Sequence, residues 1–157
     1  MARTHGWSRR GDALNAKVPH GHWKTMTFLA ALRHDRITAP FVLDGAINGE
    51  SFAVYVEQVL APTLKIGDIV VMDNLSSHKS EVIRKIIKAK GARLLFLPPY
   101  SPDLNPIEQA FSKLKRLLRK AEARSVETIC EKIGGILKRF APDECAAYLR
   151  NSGYASI

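Results

Sequence analysis

The stretch IVVMDNLSSHKSEVIRKIIKAKGARLLFL, residues 69–97, decides the fold class. Ile69 to Met72 is apolar on both faces, the pattern of a strand inside a sheet covered by helices, and Asp73-Asn74 closes it. Ser80 then offers an N-cap, and Val82, Ile83, Ile86 and Ile87 recur at helical spacing as an inward face. Lys90-Gly91 ends that helix with glycine just past its last turn. Ala92 to Leu97 reads as a second buried strand. Strand, helix and strand in this order predict a right-handed crossover and parallel pairing, hence an α/β protein.

Upstream, Thr25–Leu32 and Ile37–Leu43 read as strands joined by a turn at Arg33-His34-Asp35-Arg36, with Pro40 favouring an edge position for the second. Asn48 is a candidate N-cap for a helix carrying Phe52, Val56, Val59 and Leu60, limited by Pro62. Downstream, Pro106 suits a first helical position with Asn105 as cap, in a helix running to about Ala123. Its apolar stripe is Ile107, Ala110, Phe111, Leu114, Leu117 and Leu118. Val126–Phe140 and a short helix from Pro142 to about Arg150 complete the chain, which divides into a main domain at 1–123 and a helical extension at 124–157 packed on it.

The chain has 157 residues, 46% of them hydrophobic, enough for one domain with a real core. Lys and Arg number 24 against 15 Asp and Glu, a net charge of +9 that favours a polyanionic partner. Lys113, Lys115, Arg116, Arg119 and Lys120 concentrate part of that charge within eight residues. Cys130 and Cys145 form no CxxC pair and suggest reduced thiols in the cytoplasm. The N-terminus carries no secretory signal, and no apolar run is long enough to span a membrane.

Two acids stand out. Asp73 sits at a strand tip, and Glu108 opens a helix after the loop Pro98-Pro99-Tyr100-Ser101-Pro102-Asp103-Leu104-Asn105-Pro106-Ile107. Hard divalent cations prefer oxygen ligands, so two carboxylates converging there suit Mg²⁺. On a helix, Ser112, Lys115 and Arg119 fall within about 40° of Glu108, whereas the apolar stripe centres about 120° away. A metal on the carboxylate and phosphates on the cations is one reading of that face. Bland alternatives exist: Glu108 at N3 would complete a capping box with Asn105, and Asp73-Asn74 would serve as a turn. Ligands in open α/β folds gather beyond the carboxyl ends of parallel strands, where both acids are expected, and this favours the functional reading. His78 lies in the loop at the same edge, Asn74 beside Asp73, and Tyr100 and Ser101 are candidates to touch a nucleic-acid strand.

Val70-Val71-Met72-Asp73-Asn74, His78, the run Leu95 to Glu108 containing LPPYSPDLNPIE, and Leu114-Lys115 resemble the DDE endonuclease domain of IS630/Tc1-mariner transposases. The likeness extends from about Gly6 to Lys120, and the 34-residue gap between Asp73 and Glu108 matches the family's spacing. The resemblance implies an RNase H-like mixed sheet of five strands flanked by helices. It implies a site of two Asp and one Glu holding two Mg²⁺ or Mn²⁺ ions, which activate the attacking oxygen and stabilise the leaving one. It also implies double-stranded DNA partners, element ends and target, and a homodimer or a full-length transposase as protein partner, in the cytoplasm at the nucleoid.

Carried over by position, Asp73 resembles the second acid and Glu108 the third, with Asn74 and His78 beside them. The first acid has no match: the family's first, central strand precedes the Gly6-Trp7 segment and is expected to be missing, as is the N-terminal helix-turn-helix. A C-terminal fragment of a decayed, split or frameshifted gene is the expectation, with activity in doubt and the strands Thr25–Leu32 and Ile69–Met72 left without the neighbour expected between them. The competing class is a binding remnant without chemistry that holds DNA or transposase and modulates transposition. A cellular nuclease or resolvase is a weaker reading against so specific a loop.

Overall fold

The computed structural model describes residues 9–11, 25–74, 80–121 and 125–154. Alternation and β-branching put β1 at Met26–Leu32 and β2 at Ile37–Asp44, antiparallel, with the Arg33 amide donating to the Arg36 carbonyl at 2.8 Å across the predicted turn. β2 has only β1 as a neighbour among the described residues, so Pro40 interrupts no ladder between two strands. The register slips between Leu29 and Ala31, opposite Ala39, whose φ of 51° lies in the left-handed region before Pro40. The buried Tyr55 hydroxyl donates to the Ala39 carbonyl at 3.0 Å and satisfies the group the bulge exposes.

Helix α1 (Gly49–Tyr55) starts at the expected cap: the Asn48 side chain accepts from the Ser51 amide, and Ser51 Oγ accepts in return from the Asn48 amide. It continues through a π turn at Val56–Leu60 and a 3₁₀ turn at Ala61–Thr63 around Pro62. β3 (Ile69–Met72) follows, then α2 (Glu81–Ala89) with the Ser80 side chain accepting from the Val82 amide, then β4 (Arg93–Phe96). Gly91 takes φ +72°, the left-handed geometry a helix stop requires. β3 and β4 pair in parallel with Ile69 opposite Arg93 and Met72 opposite Phe96.

Two cores result. One joins Leu29, Phe41, Phe52, Tyr55, Val56, Met72, Ile83, Ile87 and Phe96, so α1 and α2 cover one side of both strand pairs. The other joins α3 (Ile107–Lys120), α4 (Val126–Leu137) and α5 (Pro142–Asn151) to the opposite side of β1 and β2 through Phe28, Leu32 and Val42 against Ala110, Leu114, Ile133, Ile136 and Cys145. The C-terminal helices therefore share a core with the hairpin.

Two expectations need correction. β3 and β4 are not buried on both faces: Val70, Met72, Leu94 and Phe96 pack inward, but Ile69 is 49% and Leu95 53% exposed, because α3, α4 and α5 lie over β1 and β2 instead. Val82 is 55% exposed, since the α2 face centres on Ile83 and Ile87. Among the described residues the strands form two two-stranded sheets, β1–β2 and β3–β4, both covered by α1 and α2. No helix among the described residues is long and apolar enough to cross a membrane.

Candidate active site

Asp73 follows β3 directly and is half-buried, with Asn74 behind it. The Leu97 amide donates to the Met72 carbonyl at 2.8 Å, extending the parallel ladder by one rung. The proline loop therefore departs from β4 beside Asp73. At the opposite end of these strands, Arg33 after β1 grips Asp68 before β3. β1 and β3 thus run in opposite directions, and the start of β1 lies at the Asp73 end. Phe28 near that start meets Phe111 of α3 edge-on, centroids 5.7 Å apart. Phe111 is less than one turn past Glu108, so the acid enters at the same end of the molecule as Asp73.

The capping alternative for Glu108 fails. The cap residue is Pro106, no side chain caps the helix, and the Glu108 amide donates to the Asn105 carbonyl at 3.2 Å. That amide, the one a capping side chain would take, is satisfied by the Asn105 backbone carbonyl instead. The Glu108 side chain is exposed and has neither hydrogen bond nor ion pair among the described residues. Ser112, Lys115, Arg116, Arg119 and Lys120 are likewise exposed along α3. Ser101 is half-buried with its hydroxyl donating to the Pro99 carbonyl at 3.3 Å, and Tyr100 is fully exposed. His78 lies outside the described residues.

Lys113 does not join its basic neighbours. Its ammonium donates to Glu144 Oε1 at 2.7 Å and Oε2 at 2.5 Å and to the Arg139 carbonyl at 3.2 Å, and sits 4.4 Å from the Phe140 ring centroid. Tyr148 donates to the same Glu144 carboxylate at 2.6 Å. Burial pushes the Glu144 carboxyl up, but the hydrogen bonds from Lys113 and Tyr148 outweigh it and hold it below the ordinary glutamate range. Burial, then the bond to Glu144, push the Tyr148 phenol up. The pattern of α3 alone does not reveal this, because position 113 looks like any other cation until α5 packs against it.

The residues that hold Glu108 in place also escaped the sequence reading. Gln109 Nε2 donates to the Tyr148 carbonyl and to Ser152 Oγ, both at 3.2 Å, and Asn151 Nδ2 donates to Gln109 Oε1 at 3.1 Å. The Tyr154 hydroxyl donates to the Leu104 carbonyl at 3.0 Å. The end of α5 thus clasps both the proline loop and the first turn of α3. All four partners are more than thirty-five residues from their acceptors or donors, beyond the reach of any local pattern.

Two carboxylates at one sheet end match the hard-oxygen chemistry of a divalent cation. No group of three or more His, Cys, Asp or Glu residues placed to hold a metal occurs among the described residues. Residues 1–130 match the sequence profile of the DDE superfamily endonucleases. No curated protein matches. Among solved structures, the chain is similar to the Mos1 strand transfer complex, with 14% identity, a TM-score of 0.76 and coverage of 97% of this chain and 47% of that one. The catalytic domain of Mos1 mariner transposase aligns at 15% identity and a TM-score of 0.66 over 82% of this chain and 74% of that chain. The Mos1 mariner paired end complex with Mn aligns at 17% identity and a TM-score of 0.70, covering 96% and 46%. The fold is therefore RNase H-like, and the chain spans about half the length of the longer Mos1 chains it matches.

Proposed function

Because this chain belongs to the DDE superfamily endonucleases, we propose that it is the catalytic part of an IS630/Tc1-mariner-type transposase of an insertion sequence, acting on double-stranded DNA. The observation that carries this reading is the family match over residues 1–130 together with Asp73 and Glu108 entering at one end of the fold. Asp73 and Glu108 would hold a divalent cation, Mg²⁺ or Mn²⁺. Such an ion supplies Lewis-acid polarisation of a phosphodiester oxygen and a lowered pKa for attacking water.

The chain's own residues supply position and charge. Lys115, Arg116, Arg119 and Lys120 line the helix that Glu108 begins, so a DNA backbone lying along α3 would be neutralised beside the carboxylates. Tyr100 and Ser101 sit on the loop between the two acids and would face the same strand. Asn74, next to Asp73, and His78, five positions on in the sequence, would orient it or a phosphate. The clasp of α5 on Gln109 and Leu104 sets where Glu108 stands. Partners would be element ends and target DNA, with a second copy or a longer transposase beside it at the nucleoid.

The test is nicking of supercoiled DNA with Mn²⁺ or Mg²⁺, alongside duplex binding measured over a salt series. Metal-dependent nicks that vanish in Asp73→Asn and Glu108→Gln are expected of the enzyme. A second reading, a DNA-binding module without chemistry, draws on the absence among the described residues of any group of three or more His, Cys, Asp or Glu residues placed to hold a metal. Binding that survives chelation, with no nicking at any metal concentration, selects it. Absence of salt-sensitive DNA binding would refute both.

A further inference from the structure

Tyr100 combines three properties that a surface loop does not produce for its own sake. The residue is fully exposed, and its ring packs against none of the described residues. Its φ is +57°, a left-handed conformation that disfavours every side chain with a Cβ and that glycine would take freely. And the loop that imposes this conformation is held from both sides. The Leu97 amide is bonded to Met72, Pro98, Pro99 and Pro102 restrict the backbone, and Leu104 is bonded by Tyr154. Strain of this kind persists only where the surroundings over-determine it, and it concentrates where ligands are held. The intramolecular fold gains nothing from an aromatic ring here.

Resting on the DNA reading above, we propose that Tyr100 is a stacking platform for an unpaired or unstacked nucleobase beside the Asp73 and Glu108 carboxylates. An aromatic ring presented edge-free to solvent matches the π-face every base exposes once it leaves the duplex, and a fully paired duplex offers no such face. The proline-held backbone means the ring loses little freedom on binding. The phenol oxygen is not needed for stacking, so the role belongs to the ring.

The experiment compares a perfectly paired duplex with the same duplex carrying one unpaired 2-aminopurine, binding measured by anisotropy and stacking by quenching of the 2-aminopurine. The parent and Tyr100→Phe should prefer the unpaired probe and quench it. Tyr100→Ala and Tyr100→Gly should lose about 5- to 150-fold in affinity for that probe and distinctly less for the paired duplex. Tyr100→Gly should also unfold at higher temperature than Tyr100→Ala, because glycine relieves the strained φ; its loss of binding then cannot come from misfolding. An unchanged preference in Tyr100→Gly, or equal losses on both probes, overturns the stacking role alone. Failure of the parent to bind either DNA overturns it together with the function proposed above.

Discussion

Arg33 and Asp68 form a forked ion pair that joins the end of β1 to the entry of β3. The guanidinium also donates to the Thr63 carbonyl at 3.0 Å, and the Asp68 carboxylate accepts from the Lys65 amide at 2.8 Å. This one cluster connects the two strand pairs, which share no ladder. The Arg33 guanidinium holds the Asp68 carboxyl below its ordinary range.

Arg33→Ala should therefore lower stability by about 1–2 kcal/mol in urea unfolding, more than an isolated surface pair because the fork is half-buried and touches two elements. A change indistinguishable from zero would mean that the helical layer alone holds the halves together.

Acid should weaken the fold through the same pair and through Glu144. Both carboxyls sit below their ordinary values when folded. Their contribution is thus complete above the unfolded carboxylate range near pH 4 and disappears as pH falls through the lower folded values. Unfolding free energy measured from pH 6 to pH 2 should drop below about pH 4, and less steeply in Arg33→Ala. Parallel slopes in parent and variant would remove Asp68 from the explanation.

Lys113 should separate from its neighbours on α3. Lys113→Met leaves Glu144 half-buried with only Tyr148, and should cost about 1–3 kcal/mol of stability without changing the salt dependence of DNA binding. Lys115→Met and Arg119→Met should do the reverse, each lowering the slope of log affinity against log salt by about 0.9 if it contacts a phosphate. A fall in slope for Lys113→Met would show that its pair with Glu144 opens on DNA.

Ala39→Gly should stabilise the fold by about 0.5–1 kcal/mol, because the left-handed φ of 51° is strained for alanine and free for glycine. Tyr55→Phe should cost about 1–3 kcal/mol, leaving the Ala39 carbonyl without its 3.0 Å donor inside the core. Chemical denaturation of the two variants checks both signs.

Leu95→Lys should cost less than about 0.5 kcal/mol and reduce self-association, since Leu95 lies with Ile69 and Val71 on the open face of β3 and β4. Light scattering at rising concentration measures the second effect. Severe destabilisation would show that this face is covered in solution.

Much of the fold was legible because it is written in local signals. Asn48, Ser80 and Gly91 act through bonds spanning three or four residues, and the α3 stripe of Ala110, Phe111 and Leu114 follows from helical period alone. The two acids were legible for a similar reason: a strand end and a helix start are both readable from their flanks. Asn105 misled the cap assignment because its backbone carbonyl, not its side chain, accepts from the Glu108 amide.

The sequence by itself determined element type and order, the parallel crossover pair and the position of Asp73 and Glu108 at element ends, since periodicity, caps and glycine stops act over one or two turns. Tertiary structure alone decided which face of β3 stays open, that Lys113 belongs to Glu144, and that Gln109 and Tyr154 anchor the segment carrying Glu108. Those outcomes depend on which surfaces meet when the helices dock, and contacts between residues dozens of positions apart leave no periodic trace in the chain.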